Sequence, residues 1–495
     1  MKVEVNGKIN KYYVQTLCMV FFPGIKFSDD ENDGYYIKVD VTEFEDSVEA
    51  SAFLDANGKI SSATKKFDCT EGATRDKSIK TAVGAAVIAA AGDLVGYRPS
   101  WGMLVGVRPS KVATDLLMNG NSKTRTKKIL NSEYFVIPKK AALVTEVALN
   151  EAAVIGERSD RDCSVYISIP FCPSRCAYCS FVSYTSQRLL SMIPEYLERL
   201  ISDIQKTFAT INKLGLNVKS VYIGGGTPTI LTEEQLKSLL STINKVTDVS
   251  KLEEFTLESG RPDTITEGKF AVAKEYGVTR VCVNPQSLCQ EVLNEIGRSH
   301  TVEDFYDAYD IAKRSGIKYI NTDLIAGLPG DNFKTFSATF DKILALRPDN
   351  ITVHTFCVKK SSEYLRRGSH VYSLRGGDVG KCVDYSQIKS EQAGYKPYYM
   401  YRQKNTVGNL ENVGFSLPGA EGRYNIYMME EIHSIFSVGA GAVSKMLKPA
   451  KDGEKAVIER IFNQKYPYEY LSDDRCDAYC RQYEEFYREH FDFTK

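Results

Sequence analysis

The strongest constraint on the fold is a repeated alternation of short apolar segments with amphipathic helices after Asp162. The helix after the first such segment is the clearest, because Ile193, Leu197 and Leu200 recur at intervals of three or four residues. Strands that are joined by helices pair in parallel through right-handed crossovers. The predicted strands are residues 165–169, 220–223, 254–257, 280–283, 319–324 and 350–355. The alternation therefore predicts an α/β barrel or partial barrel, with its chemistry at the carboxyl ends of the strands.

The segments on either side of this alternation differ from it. Residues 35–41 alternate as a half-buried strand does, and residues 78–95 and 143–153 are predicted helices. Beyond Lys359 the alternation gives way to Tyr- and Gly-rich segments. The predicted parts are an α+β N-terminal accessory domain at 1–160, the barrel at 161–358, and a Tyr-rich, mostly helical region at 359–495 that covers the barrel mouth.

Charge and hydropathy narrow the class of partner and the location. The 63 Lys and Arg residues are balanced by 63 Asp and Glu residues, so no basic excess indicates nucleic acid. The first 13 residues lack the apolar stretch of a secretory signal, and the apolar residues 82–91 are about half of the ~20 that a membrane span needs. We expect a cytoplasmic protein without a membrane span. Its 12 cysteines should be mostly reduced, so a cysteine cluster indicates metal or redox chemistry.

Three cysteines follow the first predicted strand at a spacing that suits metal binding. Cys172, Cys176 and Cys179 form a C-x3-C-x2-C run on the loop at the catalytic edge of the barrel. Thiolates held this closely suit an iron–sulfur cluster or zinc. Three ligands are one short of saturating either, so a bound metal keeps one position open to substrate or cofactor.

A glycine run ends the second predicted strand. Residues 224–229 read Gly-Gly-Gly-Thr-Pro-Thr, and glycines let a backbone approach a ligand closely. A plain turn is the alternative interpretation. Glu258 lies at the end of the third predicted strand. The alternative interpretation of a single Glu at such a position is a solvated side chain.

With these features in this order, the chain resembles the radical S-adenosylmethionine superfamily. The resemblance extends over about residues 162–448 and implies a partial (β/α)6 radical SAM barrel with a helical C-terminal extension. It also implies a 4Fe-4S cluster whose open iron binds the amino and carboxylate groups of S-adenosylmethionine. The residues that it implies are Cys172, Cys176 and Cys179 for the cluster and Gly225, Gly226, Thr227 and Glu258 for S-adenosylmethionine.

A narrower resemblance is to the oxygen-independent coproporphyrinogen III dehydrogenase group. The motifs that carry it are residues 166–172, 224–229, 258–262, 284–287, 296–300 and 323–330. The N-terminal domain, with residues 401–405 and 437–442, is similar to the HemZ-type branch of that group. Further cofactor contacts implied by the resemblance are Tyr166, Gln286, Arg298 and Asp323. For the last three, contact with a second S-adenosylmethionine molecule is the alternative. An ordinary ion pair between Arg298 and Asp323 is the structural alternative.

The resemblance implies oxidative decarboxylation of two propionates of coproporphyrinogen III, which gives protoporphyrinogen IX in anaerobic heme biosynthesis. A low-potential electron donor is then an expected partner beside the tetrapyrrole. The four carboxylates of this substrate favour arginine partners, with Arg175, Arg402 and Arg423 as candidates. His354 is the only histidine that we expect inside the barrel mouth.

Two departures from the group leave alternatives open. Ser180 and Phe181 follow Cys179, whereas the established decarboxylases continue as C-x-C, and a phenylalanine here is also found in the related heme-chaperone branch. That branch carries a His-Asn element in its C-terminal region, but residues 408–414 contain no histidine. The alternatives are a heme-binding chaperone without decarboxylase activity and a radical enzyme that acts on heme itself.

Overall fold

The computed structural model describes most of the chain. The described ranges are 1–29, 34–69, 75–106, 108–179, 181–357, 377–403, 406–449 and 456–491. Lys404 and Asn405, which carry part of the resemblance, lie outside these ranges, and so does Ser180, which belongs to a departure from it. The boundary predicted between residues 358 and 359 also lies outside them.

The chain begins with a four-stranded sheet that is covered on one face by two helices. Its elements are β1 (Lys2–Asn6), α1 (Lys11–Phe21), β2 (Tyr35–Glu43), β3 (Ser47–Ala56), β4 (Lys59–Asp68) and α2 (Arg75–Val95). The sheet order is β1-β2-β3-β4, with only β1 and β2 parallel. Helix α2 is long and apolar enough to span a membrane by length and composition, but two-thirds of its apolar window is buried. It packs on β3 and β4 as the core helix of this unit.

Three further helices connect this unit to the barrel, namely α3 (Pro109–Met118), α4 (Lys123–Ser132) and α5 (Pro138–Ile155). Their buried side chains belong to the core of the barrel, whereas the core of the first sheet ends with Met103. Trp101 donates from Nε1 to Glu411 at 2.8 Å, and Lys140 donates to the same carboxylate at 2.6 Å. The domain boundary at residue 160 therefore stays a prediction, while the change of hydrophobic core occurs near residue 103.

The central layer confirms the predicted α/β fold. Six parallel strands stand side by side in the order β10-β9-β8-β7-β6-β5. They are β5 (Asp162–Ile169), β6 (Asn217–Gly225), β7 (Glu254–Leu257), β8 (Arg280–Cys282), β9 (Tyr319–Ala326) and β10 (Asn350–Thr355). The connecting helices are α6 (Gln187–Leu190), α7 (Ile193–Lys213), α8 (Glu233–Val246), α9 (Glu267–Glu275), α10 (Gln290–Glu295), α11 (Val302–Arg314) and α12 (Phe333–Leu346).

Along each strand the two faces carry different side chains. Alternate residues such as Val165 and Ile167 join the hydrophobic core under the helices. Residues between them, such as Tyr166, face the inside of the partial barrel, which we call the lumen. Helices α8, α11 and α12 begin with capping boxes, which fix where each crossover returns to the sheet.

The C-terminal region contains the predicted helices and also strands that sequence patterns did not predict. The helices are α13 (Gly377–Gln392), α14 (Arg423–Glu430), α15 (Pro467–Ser472) and α16 (Cys476–His490), and the strands are β11 (Lys396–Arg402), β12 (Glu411–Ser416), β13 (Ser434–Val438), β14 (Val443–Lys448) and β15 (Val457–Phe462). Strand β12 pairs antiparallel with β10, and β13 pairs parallel with β5. These strands extend the sheet from both edges of the six parallel strands to eleven strands. Strands β12 and β13 are buried on both faces, so they lack the period-two pattern that identifies a half-buried strand.

One buried arginine lies at the amino end of the lumen. Arg280 is 2 % exposed, and its Nε lies 3.1 Å from Glu254. It also donates to Asn321 at 2.6 Å and to the backbone carbonyls of Ala420 and Glu421. The segment before α14 is thereby held against the base of the barrel.

Replacing Arg280 with Met should lower the free energy of unfolding by about 3–5 kcal/mol, because Glu254 then stays buried without its charge partner. The change is measured as a shift of the denaturant midpoint. Arg314→Met is the matched control, since it removes an exposed pair with Glu267, and it should change stability by less than about 0.5 kcal/mol. Equal shifts in the two variants would contradict this role of Arg280.

Candidate active site

The loop that carries the three cysteines follows β5 and is held by backbone hydrogen bonds. Cys172 donates from its amide to the carbonyl of Tyr184 at 3.1 Å, and Ala177 donates to Ile296 at 3.0 Å. Cys172 and Cys176 are buried, and Cys179 is half-buried. Within the described residues no three Cys, His, Asp or Glu side chains are grouped as ligands of a single ion. A four-iron cluster takes one thiolate per iron, so its ligands lie further apart than those of a zinc ion.

Two buried arginines point at one of these sulfurs. Nη1 of Arg261 lies 3.7 Å from Sγ of Cys176, and Nη1 of Arg298 lies 3.8 Å from the same atom. Burial lowers the pKa of Arg261, but Asp263 and the cysteines raise it more, so the guanidinium stays charged. A cluster held by three thiolates is anionic, and two desolvated cations beside one ligand favour that charge.

The glycine run lies directly against the cysteine loop. The amide of Thr227 donates to the carbonyl of Phe171 at 2.8 Å, and its Oγ1 lies 3.2 Å from Sγ of Cys172. A Cβ atom on Gly226 would overlap the backbone of Phe171. At Gly225, φ is +110° and a Cβ atom would meet Ser168 and Ile169. These glycines are thus required by a close approach of two backbones, whereas their contact with S-adenosylmethionine stays a prediction.

Glu258 follows β7 and points into the lumen. The phenol of Tyr222 donates to its Oε1 at 3.0 Å, and a Cβ atom on Gly224 would lie 2.8 Å from its Oε2. Burial raises the pKa of Glu258 to about 7. Near neutral pH the carboxyl group is therefore balanced between its two forms, and a nearby ammonium group would favour the carboxylate.

Stacked tyrosines line the lumen beside Glu258. The rings of Tyr166 and Tyr222 lie 6.0 Å apart, and Tyr424 stacks on Tyr222 at 4.6 Å. Burial raises the pKa of all three phenols, so they remain neutral hydrogen-bonding groups. The predicted residue Tyr166 is thus part of an aromatic wall.

A polar chain crosses the opposite side of the lumen. Asn284 donates from Nδ2 to Asp323 Oδ2 at 2.9 Å and accepts from the amide of Asp323 at 3.0 Å. His354 lies 3.8 Å from the same carboxylate, and its Nδ1 lies 3.1 Å from the hydroxyl of Tyr401. Asp323 is therefore fixed by Asn284 on one side and faces His354 on the other.

Arg298 does not form the ion pair with Asp323 that was the structural alternative. Within the described part of the chain, its guanidinium donates to the carbonyls of Gly260 and Asn284 and toward Cys176. Its Nε is buried without a hydrogen-bond partner among the described residues.

Gln286 has the geometry of a residue that is held in place for a ligand. Its φ is +65°, a left-handed conformation that is uncommon outside glycine, and strain of this kind clusters at functional sites. Its side-chain Oε1 is buried, with no partner among the described residues. S-adenosylmethionine carries ammonium, carboxylate and ribose hydroxyl groups that would pair with Gln286, Arg298 and Glu258, so the residues present fit this cofactor.

The structure brings the predicted residues together around the cysteine loop, but it corrects two of the arginines proposed for substrate. Arg402 is 3 % exposed, lies over the ring of Trp101 and donates to the carbonyl of Asn409. Arg423 pairs with Glu253, which precedes β7 and lies at the amino end of the barrel. Both side chains are held by the protein away from the lumen mouth. Arg175 is exposed on the cysteine loop and stays a candidate.

Sequence reasoning missed three groups of this site. Arg261 and Asn284 lie inside motifs that carried the resemblance, but neither was assigned a role. Tyr401 lies in the motif 401–405 that also carried the resemblance, and it was likewise given no role. The cysteines Cys476 and Cys480 are buried on α16, where Sγ of Cys476 lies 3.7 Å from the carbonyl of Asp203 on α7.

Replacing Gly226 with Ala should displace the loop at Phe171 and lower the iron content of the anaerobically reconstituted protein by more than half. The added Cβ would overlap backbone atoms, which cannot rotate away as a side chain can. Gly380→Ala is the control, because its Cβ would meet nothing within 4 Å on the described helix α13. Normal iron content in Gly226→Ala would show that the close approach does not hold the loop.

Comparison with known proteins agrees with this geometry. Residues 166–343 match the model of the radical SAM superfamily, whose members use a 4Fe-4S cluster and S-adenosylmethionine. The chain is 35 % identical over 465 residues to the oxygen-independent coproporphyrinogen-III oxidase-like protein HemZ of Bacillus subtilis, covering 92 % of each chain. It is 30 % identical over 308 residues to the heme chaperone HemW of the same organism, covering 62 % of this chain and 77 % of HemW. A solved structure, coproporphyrinogen III oxidase HemN of Escherichia coli, has a TM-score of 0.48 at 19 % identity and covers 67 % of this chain and 73 % of HemN.

The match to HemZ covers 92 % of both chains, so it extends well beyond the barrel. The cofactors are therefore a 4Fe-4S cluster and S-adenosylmethionine, and the predicted resemblance is confirmed. The chain belongs to the HemZ-type branch of the oxygen-independent coproporphyrinogen III oxidase group within the radical SAM superfamily.

Proposed function

We propose that the protein catalyses the oxidative decarboxylation of two propionates of coproporphyrinogen III to give protoporphyrinogen IX. The observation that carries this proposal is the convergence of the cysteine loop, Glu258 and Asp323 on one lumen that is walled by tyrosines. An aromatic wall suits a flat macrocycle, and the polar chain opposite it suits carboxylate groups. The name of the relative HemZ supports this choice of substrate.

When bound, the cluster and S-adenosylmethionine would supply abstraction of a propionate hydrogen atom next to the macrocycle. Cys172, Cys176 and Cys179 would hold the cluster, and Glu258, Gln286 and Arg298 would orient S-adenosylmethionine. Arg261 and Arg298 hold positive charge beside Cys176, and the tyrosine wall excludes water from the lumen. The chain thus contributes position and electrostatics, while the bond cleavage belongs to the cofactors.

On the substrate side, we assign His354 and Tyr401 to one propionate. Both side chains face the lumen beside Asp323, and the hydroxyl of Tyr401 is shared with Nδ1 of His354. The ring N–H of His354 and the hydroxyl of Tyr401 are hydrogen-bond donors that can pair with a substrate carboxylate, which Asp323 alone would repel. Leaving carbon dioxide takes no proton, so this pair anchors the substrate rather than acting as a general acid.

A heme chaperone without decarboxylase activity is the second candidate, because HemW is also a relative and Phe181 occupies the second position after Cys179. The described residues of the C-terminal region argue against it. Residues 411–416 form the fully buried strand β12, and residues 408–414 contain no histidine that could bind heme iron. A radical enzyme that opens or alkylates heme is a third candidate, since a tetrapyrrole pocket suits more than one macrocycle.

We also propose that the protein works in the cytoplasm with a low-potential electron donor and without nucleic acid. The balanced charge and the burial of α2 in the first core support this setting.

The function is tested by anaerobic incubation of the reconstituted protein with reductant, S-adenosylmethionine and coproporphyrinogen III, followed by mass analysis. We expect the monovinyl tripropionate intermediate and protoporphyrinogen IX, with two cofactor molecules cleaved per finished product. A parallel incubation contains heme in place of coproporphyrinogen III. Unchanged coproporphyrinogen III together with heme-dependent cofactor cleavage would replace this proposal with the heme-directed candidate, and stable heme binding without cleavage would favour the chaperone.

His354→Gln should raise KM for coproporphyrinogen III by roughly tenfold or more, because a hydrogen bond to a charged group is lost. Iron content and binding of S-adenosylmethionine should stay near normal, since His354 is not on the cysteine loop. Tyr401→Phe should give a smaller effect in the same direction. His490→Gln on α16 is the control, and an equal change in KM there, or none in His354→Gln, would remove the pair from the substrate site.

A further inference from the structure

The cysteine loop is closed at its base by hydrogen bonds between the residues on either side of it. The amide of Tyr184 donates to the carbonyl of Pro170 at 2.9 Å, and the amide of Cys172 donates to the carbonyl of Tyr184 at 3.1 Å. Cys176 and Cys179 lie on the chain between these two ends. The positions of their thiols therefore depend on contacts above the base of the loop.

The first half of the loop is held by the barrel. Arg261 donates to the carbonyl of Ser174 at 3.2 Å and to its hydroxyl at 2.9 Å. The amide of Ala177 donates to the carbonyl of Ile296 at 3.0 Å. These bonds join the loop to the residues that follow β7 and α10, so the barrel itself fixes the chain on either side of Cys176.

The second half of the loop is bonded back to the first half. The amide of Cys179 donates to the carbonyl of Cys176 at 3.0 Å. Arg175 donates from Nη1 to the carbonyl of Ser183 at 2.9 Å and from Nη2 to the carbonyl of Cys179 at 3.4 Å. One guanidinium thus joins the carbonyl of the third cysteine to a carbonyl four residues further along the chain.

The other contacts of this second half are less directional. Val182 lies beside Gly441 of the C-terminal region, where a Cβ atom on the glycine would come within 2.9 Å of the valine side chain. The hydroxyl of Ser183 lies 3.9 Å from Sγ of Cys179, which is a long contact. The planar fork of an arginine fixes two acceptors at once, whereas an apolar contact sets no direction for the backbone.

The third thiol is the one that the barrel constrains least. Cys172 and Cys176 are buried, whereas Cys179 is half-buried. A four-iron cluster with three protein ligands needs all three thiolates in place. We propose that Arg175 is a positioning residue that holds Cys179 for the cluster, and is not a partner of a substrate carboxylate. Both terminal nitrogens of its guanidinium are already directed at carbonyl groups of the loop.

Two variants of the full-length protein, Arg175→Met and Arg175→Lys, test this role after anaerobic reconstitution. The first removes the charge and both hydrogen bonds, and the second keeps the charge but replaces the fork with one ammonium group. The measurements are the rate at which a chelator removes iron and the electron paramagnetic resonance spectrum of the dithionite-reduced cluster. Both are made without a tetrapyrrole, so failure here is independent of failure of the proposed function.

Arg175→Met should lose iron roughly tenfold faster than the wild type, because two hydrogen bonds that close the loop around Cys179 are lost. Its spectrum should differ from that of the wild type, since the third thiolate is no longer fixed. Arg175→Lys should lie between the two, because an ammonium group can reach one of the two carbonyls. The matched control is Arg188→Met on α6, which removes an exposed arginine and should leave both measurements unchanged.

A wild-type rate of iron loss and a wild-type spectrum in Arg175→Met would overturn the proposal. Equal behaviour of Arg175→Lys and the wild type would also overturn it, because charge alone would then be sufficient. If both variants retain iron normally and bind coproporphyrinogen III more weakly than the wild type, Arg175 is a partner of the substrate carboxylates and the proposal is wrong.

Discussion

The contact between the end of β6 and the cysteine loop is the constraint on which the rest of the site depends. The carbonyl of Phe171 accepts from Thr227, and the absence of a side chain at Gly226 lets the two backbones meet. With the loop fixed at this point, Cys172 reaches the hydroxyl of Thr227, and Cys176 reaches the two arginines that follow β7 and α10. Backbone packing therefore contributes to the positions of the thiols.

The charges around this loop are arranged asymmetrically. Arg261 and Arg298 both approach Cys176, whereas Cys172 meets a neutral hydroxyl. Hydrogen bonds to cluster sulfurs, burial and net charge are the means by which a protein sets the reduction potential of a cluster. Two buried cations beside one thiolate ligand stabilise the more negative, reduced form of the cluster and thereby raise its reduction potential.

The barrel and its cysteines were predictable because their signals are local. Strand–helix alternation and a three-cysteine spacing need no tertiary information, and the strands β5 to β10 appear where the sequence predicts them. The strands of the C-terminal region were not predictable, since β12 and β13 are buried on both faces and show no alternation. Arg402 and Arg423 show the same limit: an arginine looks alike in sequence whether it binds a substrate carboxylate or a carbonyl of its own chain.

The buried network of Arg280 occupies the amino end of the lumen. Glu254, Asn321 and the backbone before α14 lie against its guanidinium and give the site a fixed polar base. Under the proposed function, the macrocycle would enter and leave at the carboxyl ends of the strands, on the side of the cysteine loop. Presenting the second propionate to the same position would then require the macrocycle to be turned at that end.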